Sequence, residues 1–186
     1  MKGLLSVLFA LMLCCGLLSV CDVIAANSAT INIPVTIITQ QSTCKVRFEG
    51  ESVSGDTYTF QKVLLKGVQQ KHPSFQAVVY CDDNSVVTTA LALRPAGALQ
   101  SVGNKVGLYR VDEPGTKSGE LWLTLKDGSI VPMGKNAADA TQKSFCQGGA
   151  SNIQHNICLL MPVTDIPVSA VGGPVNTTLA FDVVYP

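Results

Sequence analysis

Strict alternation of apolar and polar residues in short segments is the feature that most limits the fold of this sequence. The clearest cases lie near the two ends of the chain, in residues 29–38 and 177–185. Their alternating apolar residues are Ile31, Ile33, Val35 and Ile37 in the first segment, and Leu179, Phe181, Val183 and Tyr185 in the second. A period of two places every second side chain on the same face of a β-strand. Both segments are therefore predicted to be strands with one buried face.

Apolar runs between these two segments predict further strands, and turn residues separate them. The predicted strands cover residues 44–48, 58–65, 75–81, 86–93, 105–111, 120–126 and 157–162. Asp127-Gly128, between Leu125 and Ile130, predicts a hairpin turn. Residues 136–144 predict one short helix. Many short strands with regularly spaced turns are typical of an antiparallel sandwich, so the chain is predicted to be all-β.

The first residues have the order of a secretory signal peptide. Lys2 supplies a positive charge, a long apolar run follows, and small residues end the segment. Cleavage after Ala25 and cleavage after Ala26 both fit. A membrane anchor is a weaker alternative, and so is a lipoprotein signal at Cys21, because a valine precedes that cysteine where a small residue is required. Residues 1–25 are therefore predicted to be a signal peptide that directs export.

The remaining chain has the size and charge of a single globular domain. Removal of the signal leaves about 160 residues, which is one domain by length. The chain carries 13 Lys and Arg and 13 Asp and Glu residues, so its formal net charge is zero. A protein that binds nucleic acid carries a basic face, and this balance predicts none.

Four cysteines remain after the predicted signal peptide, namely Cys44, Cys81, Cys146 and Cys158. An even number of cysteines in an exported protein predicts two disulfide bonds. Four cysteines allow three pairings, and their spacing alone does not choose among them. No pair has the close spacing of a zinc knuckle, so no metal site is predicted.

Residues that support catalysis are sparse. The sequence has two histidines, His72 and His155, and neither has a second histidine or a carboxylate at metal-ligand spacing. A nucleophile elbow, Gly-x-Ser-x-Gly, is absent from the sequence. A Ser–His–Asp triad assembles in space, so that alternative stays open at this point. We expect no enzymatic activity, no cofactor and no small-molecule substrate. Trp122, flanked by apolar residues in a predicted strand, is expected to be buried.

Four segments, taken in their order along the chain, carry a family resemblance. They are Ala29–Val35 with the Cys44-Lys45-Val46 that follows, Phe75–Cys81, the hairpin of residues 123–134, and the final segment Leu179–Pro186. Together they resemble subunits of chaperone–usher fimbriae, and the minor pilins of type 1 and P pili look most similar. The matched segments span nearly the whole chain after the signal peptide.

The resemblance implies an incomplete fold. Pilins of this family look like an immunoglobulin-like β-sandwich that lacks its last strand, so an apolar groove stays open. A periplasmic chaperone fills the groove first, and at the outer-membrane usher an extension of the neighbouring subunit replaces it. By this resemblance residues 26–42 are the amino-terminal donor-strand extension and residues 43–186 are the pilin domain.

The resemblance also assigns roles to individual residues. The donor strand would present Ile31, Ile33, Val35 and Ile37 to a neighbour. The groove that accepts a strand, and that the chaperone contacts, would be lined by Phe181, Val183 and Tyr185. Cys44 would pair with Cys81 as in the family, which leaves Cys146 to pair with Cys158.

The sequence departs from the family pattern in three ways, one of which is that Cys146 and Cys158 are additional to the pair that most pilins share. Ile37 stands where the family usually has glycine, so the accepting groove would need a roomier pocket there. Pro34 has no amide hydrogen and would remove one hydrogen bond from a strand that is paired on both sides.

The sequence thus predicts a structural subunit of a fimbrium, exported through the periplasm to the cell surface, where it contributes to bacterial adhesion. Its partners would be the chaperone, the usher and the neighbouring subunits. Two alternatives remain: a single-domain fimbrial adhesin that binds a host ligand, and a self-complete periplasmic β-sandwich in which residues 29–38 are the first strand of their own domain.

Overall fold

The computed structural model describes residues 44–97 and 99–186, and this part of the chain is all-β with antiparallel sheets. The strands are β1 (Cys44–Glu49), β2 (Val53–Ser54), β3 (Thr57–Tyr58), β4 (Gln69–Lys71), β5 (Phe75–Cys81), β6 (Val87–Pro95), β7 (Ser101–Val102), β8 (Lys105–Arg110), β9 (Lys117–Thr124), β10 (Phe145–Ala150), β11 (Asn156–Asp165), β12 (Val175–Asn176) and β13 (Leu179–Val184), and a short helix, α1, covers Ala137–Gln142. The all-β prediction is confirmed. The predicted strand within residues 29–38 lies outside the described residues.

Two sheets contain most of these strands. The larger sheet has the order β1-β5-β11-β9-β8-β12, with β4 added beside β11 and β7 beside β8. The smaller sheet has the order β10-β6-β13. All pairings between named strands are antiparallel. Among the described residues, β1 and β13 are therefore edge strands, one in each sheet.

Both sheets bury side chains in one hydrophobic core. Leu121 and Leu123 of β9 join Leu91 and Leu93 of β6 in the same buried cluster. Trp122 is also buried, with 5% of its surface exposed, as the sequence predicts. Because side chains alternate along a strand, Trp122 projects from the opposite face of β9. There the Lys105 ammonium lies 4.5 Å from the centre of its ring.

The strand registers define two ends of the domain. Cys44 pairs with Cys81, so the start of β1 and the end of β5 lie together; we call this the Cys44 end. Strand β11 runs antiparallel to β5 and leads away from that end to Asp165 and Ile166, which mark the Ile166 end. Strand β13 begins at Leu179 opposite Pro95, the last residue of β6, so it runs from the Ile166 end toward the Cys44 end.

Two local predictions are confirmed because their signals are short-range. The predicted helix appears as α1, with the Asn136 side chain accepting a hydrogen bond from the Asp139 amide at 2.9 Å. The Asp127-Gly128 turn is closed by a hydrogen bond from the Leu125 amide to the Ser129 carbonyl. Gly128 has a positive φ of 85°, which glycine adopts without a steric penalty.

The predicted strand over residues 58–65 is wrong beyond Tyr58. Its apolar residues do not share one buried face: Phe60 is buried, whereas Val63 and Leu65 are exposed. The Leu65 amide donates to the side-chain oxygen of Gln70 instead of to a neighbouring strand. An apolar composition suggested a strand here, but tertiary contacts of Phe60 decide the path of the chain.

Strand β10 was not predicted, because its sequence carries no alternation. It contains Gly148 and Gly149, and Cys146 has a positive φ of 51°. Its pairing with β6 shifts register between Phe145 and Gly148, which is a β-bulge or a similar irregularity. The strand therefore depends on its partner rather than on its own pattern.

Two disulfide bonds join Cys44 to Cys81 and Cys146 to Cys158, the pairs implied by the family resemblance. The first bond links the neighbouring strands β1 and β5. The second links β10 to β11 and so connects the smaller sheet to the larger one.

Removal of the two disulfides is expected to have unequal effects on stability. Replacing Cys44 and Cys81 with alanine should lower the free energy of unfolding by about 2–5 kcal/mol. The same change at Cys146 and Cys158 should cost less by about 1 kcal/mol in the loop-entropy model, because the bonds span 37 and 12 residues. Urea unfolding of both double variants measures the difference, and an equal or reversed order contradicts this account.

Candidate strand-binding groove

The outer edge of β13 has the backbone groups needed to bind another strand. On its inner side β13 pairs with β6 along its whole length, from Leu179 opposite Pro95 to Val184 opposite Ala90. Within residues 44–97 and 99–186 no strand pairs with its outer side. An unpaired edge presents a row of N–H and C=O groups to which an extended segment can add.

Side chains of β13 separate into a core face and an outer face. Phe181, with 1% of its surface exposed, belongs to the core, and the half-buried Val183 and Tyr185 pack against it. On the other face Asp182 forms an ion pair with Arg94 at 2.9 Å. The structure thus places the three residues predicted to line the groove on the core side of this edge.

An apolar pocket lies between the edge strands of the two sheets. Phe48 of β1 and Phe181 of β13 meet there with their ring centres 5.1 Å apart and their planes inclined at 61°. The other apolar side chains that line the pocket are Val53, Tyr58, Phe75, Leu123 and Leu179. Of the three predicted groove residues, Phe181 lines this pocket, and Val183 and Tyr185 follow it along the chain.

The sequence analysis did not assign Phe48, Tyr58 and Leu179 to the groove. A signal existed for Phe48, since it continues the alternation of Cys44 and Val46 in β1. The pocket brings together residues from six strands and from the turn between β2 and β3. No spacing within a single segment reveals such a meeting. The predicted donor residues Ile31, Ile33, Val35 and Ile37 lie outside the described residues and remain a prediction.

The walls of the pocket are uncharged apart from Asp56 at its rim. Burial raises the pKa of Tyr58 from 10 to about 12, so its hydroxyl stays protonated and uncharged even in moderately alkaline solution. That hydroxyl donates a hydrogen bond of 2.8 Å to the Pro73 carbonyl. A pocket with walls of this kind favours an apolar side chain over a charged one.

The two histidines have separate environments. His72 is buried, with its Nε2 atom 2.8 Å from Thr164 Oγ1 and its ring 4.2 Å from the ring centre of Phe60. His155 lies beside the ring of Tyr80, at 6.3 Å between centres. In the described part of the chain no three His, Cys, Asp or Glu side chains are grouped so that they could hold a metal ion.

No helix in residues 44–97 and 99–186 has the length and apolar character needed to span a membrane. A scan against protein-family models finds no match for the chain, and a search of curated proteins finds none either.

His72 is expected to make the folded state sensitive to acid. Burial lowers the pKa of His72 to about 4, and the positive charge of Lys62 acts in the same direction. The unfolded chain binds this proton near pH 6.5, so the stabilisation is complete above that pH and is lost as the pH falls toward 4. We expect a loss of about 1–3 kcal/mol across this window. Between these pH values, the free energy of unfolding measured with urea should fall less steeply with decreasing pH for His72→Phe than for the original protein, and an equally steep fall in the two would contradict this account.

Substitution of Val183 is expected to test the groove directly. A carboxylate at this half-buried position on the core side of β13 would be buried further by an added strand and should weaken its binding at least about tenfold, because each 1.4 kcal/mol of lost affinity is a factor of ten. Val184→Asp is the matched control, since its side chain projects from the other face of β13. Fluorescence anisotropy with a labelled peptide of residues 29–38 measures both variants. Equal binding by the two would contradict the placement of the groove.

Proposed function

We propose that this chain is a structural subunit of a chaperone–usher fimbria that polymerises by donor-strand exchange and contributes to bacterial adhesion. The observation that carries the proposal is the outer edge of β13, which has no strand partner in the described residues and lies beside an apolar pocket. In this proposal the activity is non-covalent, because the subunit accepts one strand and donates another.

The domain is, in this proposal, an immunoglobulin-like β-sandwich that lacks its last strand. The smaller sheet, β10-β6-β13, would form one layer, and the larger sheet would form the other. Support comes from the contact between Phe48 and Phe181, because it brings the edge strands of the two sheets together. The absent strand would pair with the outer side of β13, where β13 faces β1, and would cover the pocket.

The donor segment is assigned to residues 26–42, ahead of a pilin domain at residues 43–186. Its apolar residues Ile31, Ile33, Val35 and Ile37 share one parity. Burying four such side chains is worth roughly 6–12 kcal/mol before the cost of ordering the strand. That gain is large enough for a donated strand to become part of a neighbour's core.

The need for a chaperone follows from the same unpaired edge and apolar pocket. An exposed strand edge beside an apolar pocket is a site for unwanted association. A periplasmic chaperone would cover the edge until the outer-membrane usher brings the next subunit. We assign the chain no enzymatic activity, no cofactor and no small-molecule or nucleic-acid ligand. Residues 1–25 would direct its export, and the fimbrium at the cell surface would be its location.

Substitution in the predicted donor strand should block assembly and leave the subunit's own fold intact. We expect Ile33→Asp with Val35→Asp to preserve export, both disulfides and chaperone binding. Assembly into fibres should be lost, because each carboxylate would cost several kcal/mol in a neighbour's groove. The amount of heat-resistant polymer on a denaturing gel, compared with chaperone-bound subunit in the periplasm, measures the two effects separately.

Asn32→Asp with Thr36→Asp is the matched control, since these residues have the opposite parity and should assemble normally. If the Ile33 and Val35 variant is degraded in the periplasm instead, residues 29–38 are a strand of their own domain and the self-complete sandwich is correct. If that variant assembles normally, the donor strand lies elsewhere. A subunit that binds a host ligand without entering a fibre would support the adhesin alternative.

A further inference from the structure

The Ile166 end of the domain carries an exposed apolar surface with positive charge. Two loops meet there: the Gly67 amide donates to the Ile166 carbonyl at 2.7 Å. Leu65 and Val168 stand out, with 55% and 77% of their surfaces exposed. We define the Ile166-end patch as the exposed residues Lys62, Leu65, Lys66, Val68 and Val168.

The Cys44 end carries a smaller apolar surface with negative charge. The loop before β11 lies against the turn after β5, since the Asn152 amide donates to the Asp83 carbonyl at 2.9 Å. Ile153, at the tip of that loop, has 85% of its surface exposed. We define the Cys44-end patch as the exposed residues Asp82, Asp83, Asn152 and Ile153.

The two patches complement each other in chemistry. Leu65, Val68 and Val168 form the apolar part of the first patch and Ile153 forms that of the second, and the charges beside them are opposite. Lys62 and Lys66 are basic, whereas Asp82 and Asp83 are acidic. The Asp82 carboxylate forms an ion pair with Lys45 of its own domain, at 3.3 Å between Oδ2 and Nζ. Asp83 is therefore the acidic residue that we expect to face the partner. Opposite charges at the rim of an apolar contact steer two surfaces into one register.

Strand addition determines which ends of two subunits meet. Strand β13 runs from the Ile166 end to the Cys44 end, and antiparallel pairs are slightly more stable per residue than parallel ones. An antiparallel donor strand would therefore finish at the Ile166 end of the acceptor. Only residues 39–43 separate the alternating part of the donor segment, residues 29–38, from Cys44, and such a linker spans at most about 20 Å. The Cys44 end of the donor must then lie close to the Ile166 end of the acceptor.

We propose that the Ile166-end patch of one subunit docks against the Cys44-end patch of a second copy of this chain. The inference rests on the proposed donor-strand exchange, which brings the two ends within reach. Ile153 would pack against Leu65 and Val168, and Asp83 would approach Lys62 and Lys66. The docking of the two patches fixes the orientation of consecutive subunits, whereas the exchanged strand holds the subunits together.

Carbodiimide cross-linking of strand-exchanged pairs tests the proposal. Strand β11 alone has ten residues, and such a strand spans about 33 Å. A bond without a spacer between Lys62 or Lys66 and Asp83 can therefore form only between two molecules. Strand-exchanged pairs would be formed in a mixture of ¹⁴N- and ¹⁵N-labelled protein and identified by their survival in denaturing electrophoresis. These pairs would be cross-linked and then digested. Mixed-isotope peptides that join residues 62–66 to residue 83 are expected by mass spectrometry.

Matched variants give the result its specificity. The cross-link should disappear in the double variant Lys62→Gln with Lys66→Asp. Adding Asp83→Lys to this variant should restore the cross-link, with the carboxylate now at position 66 and the amine at position 83. Lys135→Glu, on the flank of the domain near α1, should leave the cross-link unchanged. Resistant pairs that lack the cross-link would overturn the docking contact and leave strand exchange standing. A failure to form resistant pairs would overturn the proposed function and the docking contact together.

Discussion

The contact between Phe48 and Phe181 is the interaction on which the arrangement of this domain depends. It joins β1, at the edge of the larger sheet, to β13, at the edge of the smaller one. Phe48 also meets Phe75, so the contact continues into the second strand of the larger sheet. In the part of the chain that the structure describes, side chains and not backbone pairing hold the two edges together, so no strand there pairs with the outer side of β13.

The sequence predicts those parts of the fold whose signal lies within one segment. Strand β5 was predicted with the bounds that the structure shows, because its apolar residues are continuous and the turn residues Asp82 and Asp83 follow. Helix α1 was predicted from a short polar segment that begins with a capping asparagine, Asn136. In both cases local chemistry and tertiary packing favour the same conformation.

Other parts depend on contacts between distant residues. Residues 59–65 have the composition of a strand, yet they lie outside the named strands, and the ring of Phe60 packs against Tyr58 and His72. Strand β10 has no alternating pattern and exists because it pairs with β6. The pocket was predicted only as far as Phe181. Its other walls come from strands that are far apart in sequence, so only the folded chain brings them together.

The disulfide between Cys44 and Cys81 has a mechanical consequence. Cys44 is the first residue of β1, and its register partner Cys81 is the last residue of β5, which in turn pairs with the long strand β11. Tension applied to the chain ahead of Cys44 therefore reaches β5 through a covalent bond. Strand β1 is protected from being unzipped one hydrogen bond at a time from its amino-terminal residue. The load passes instead to a strand that is hydrogen-bonded on both sides, where failure requires many bonds to shear at once.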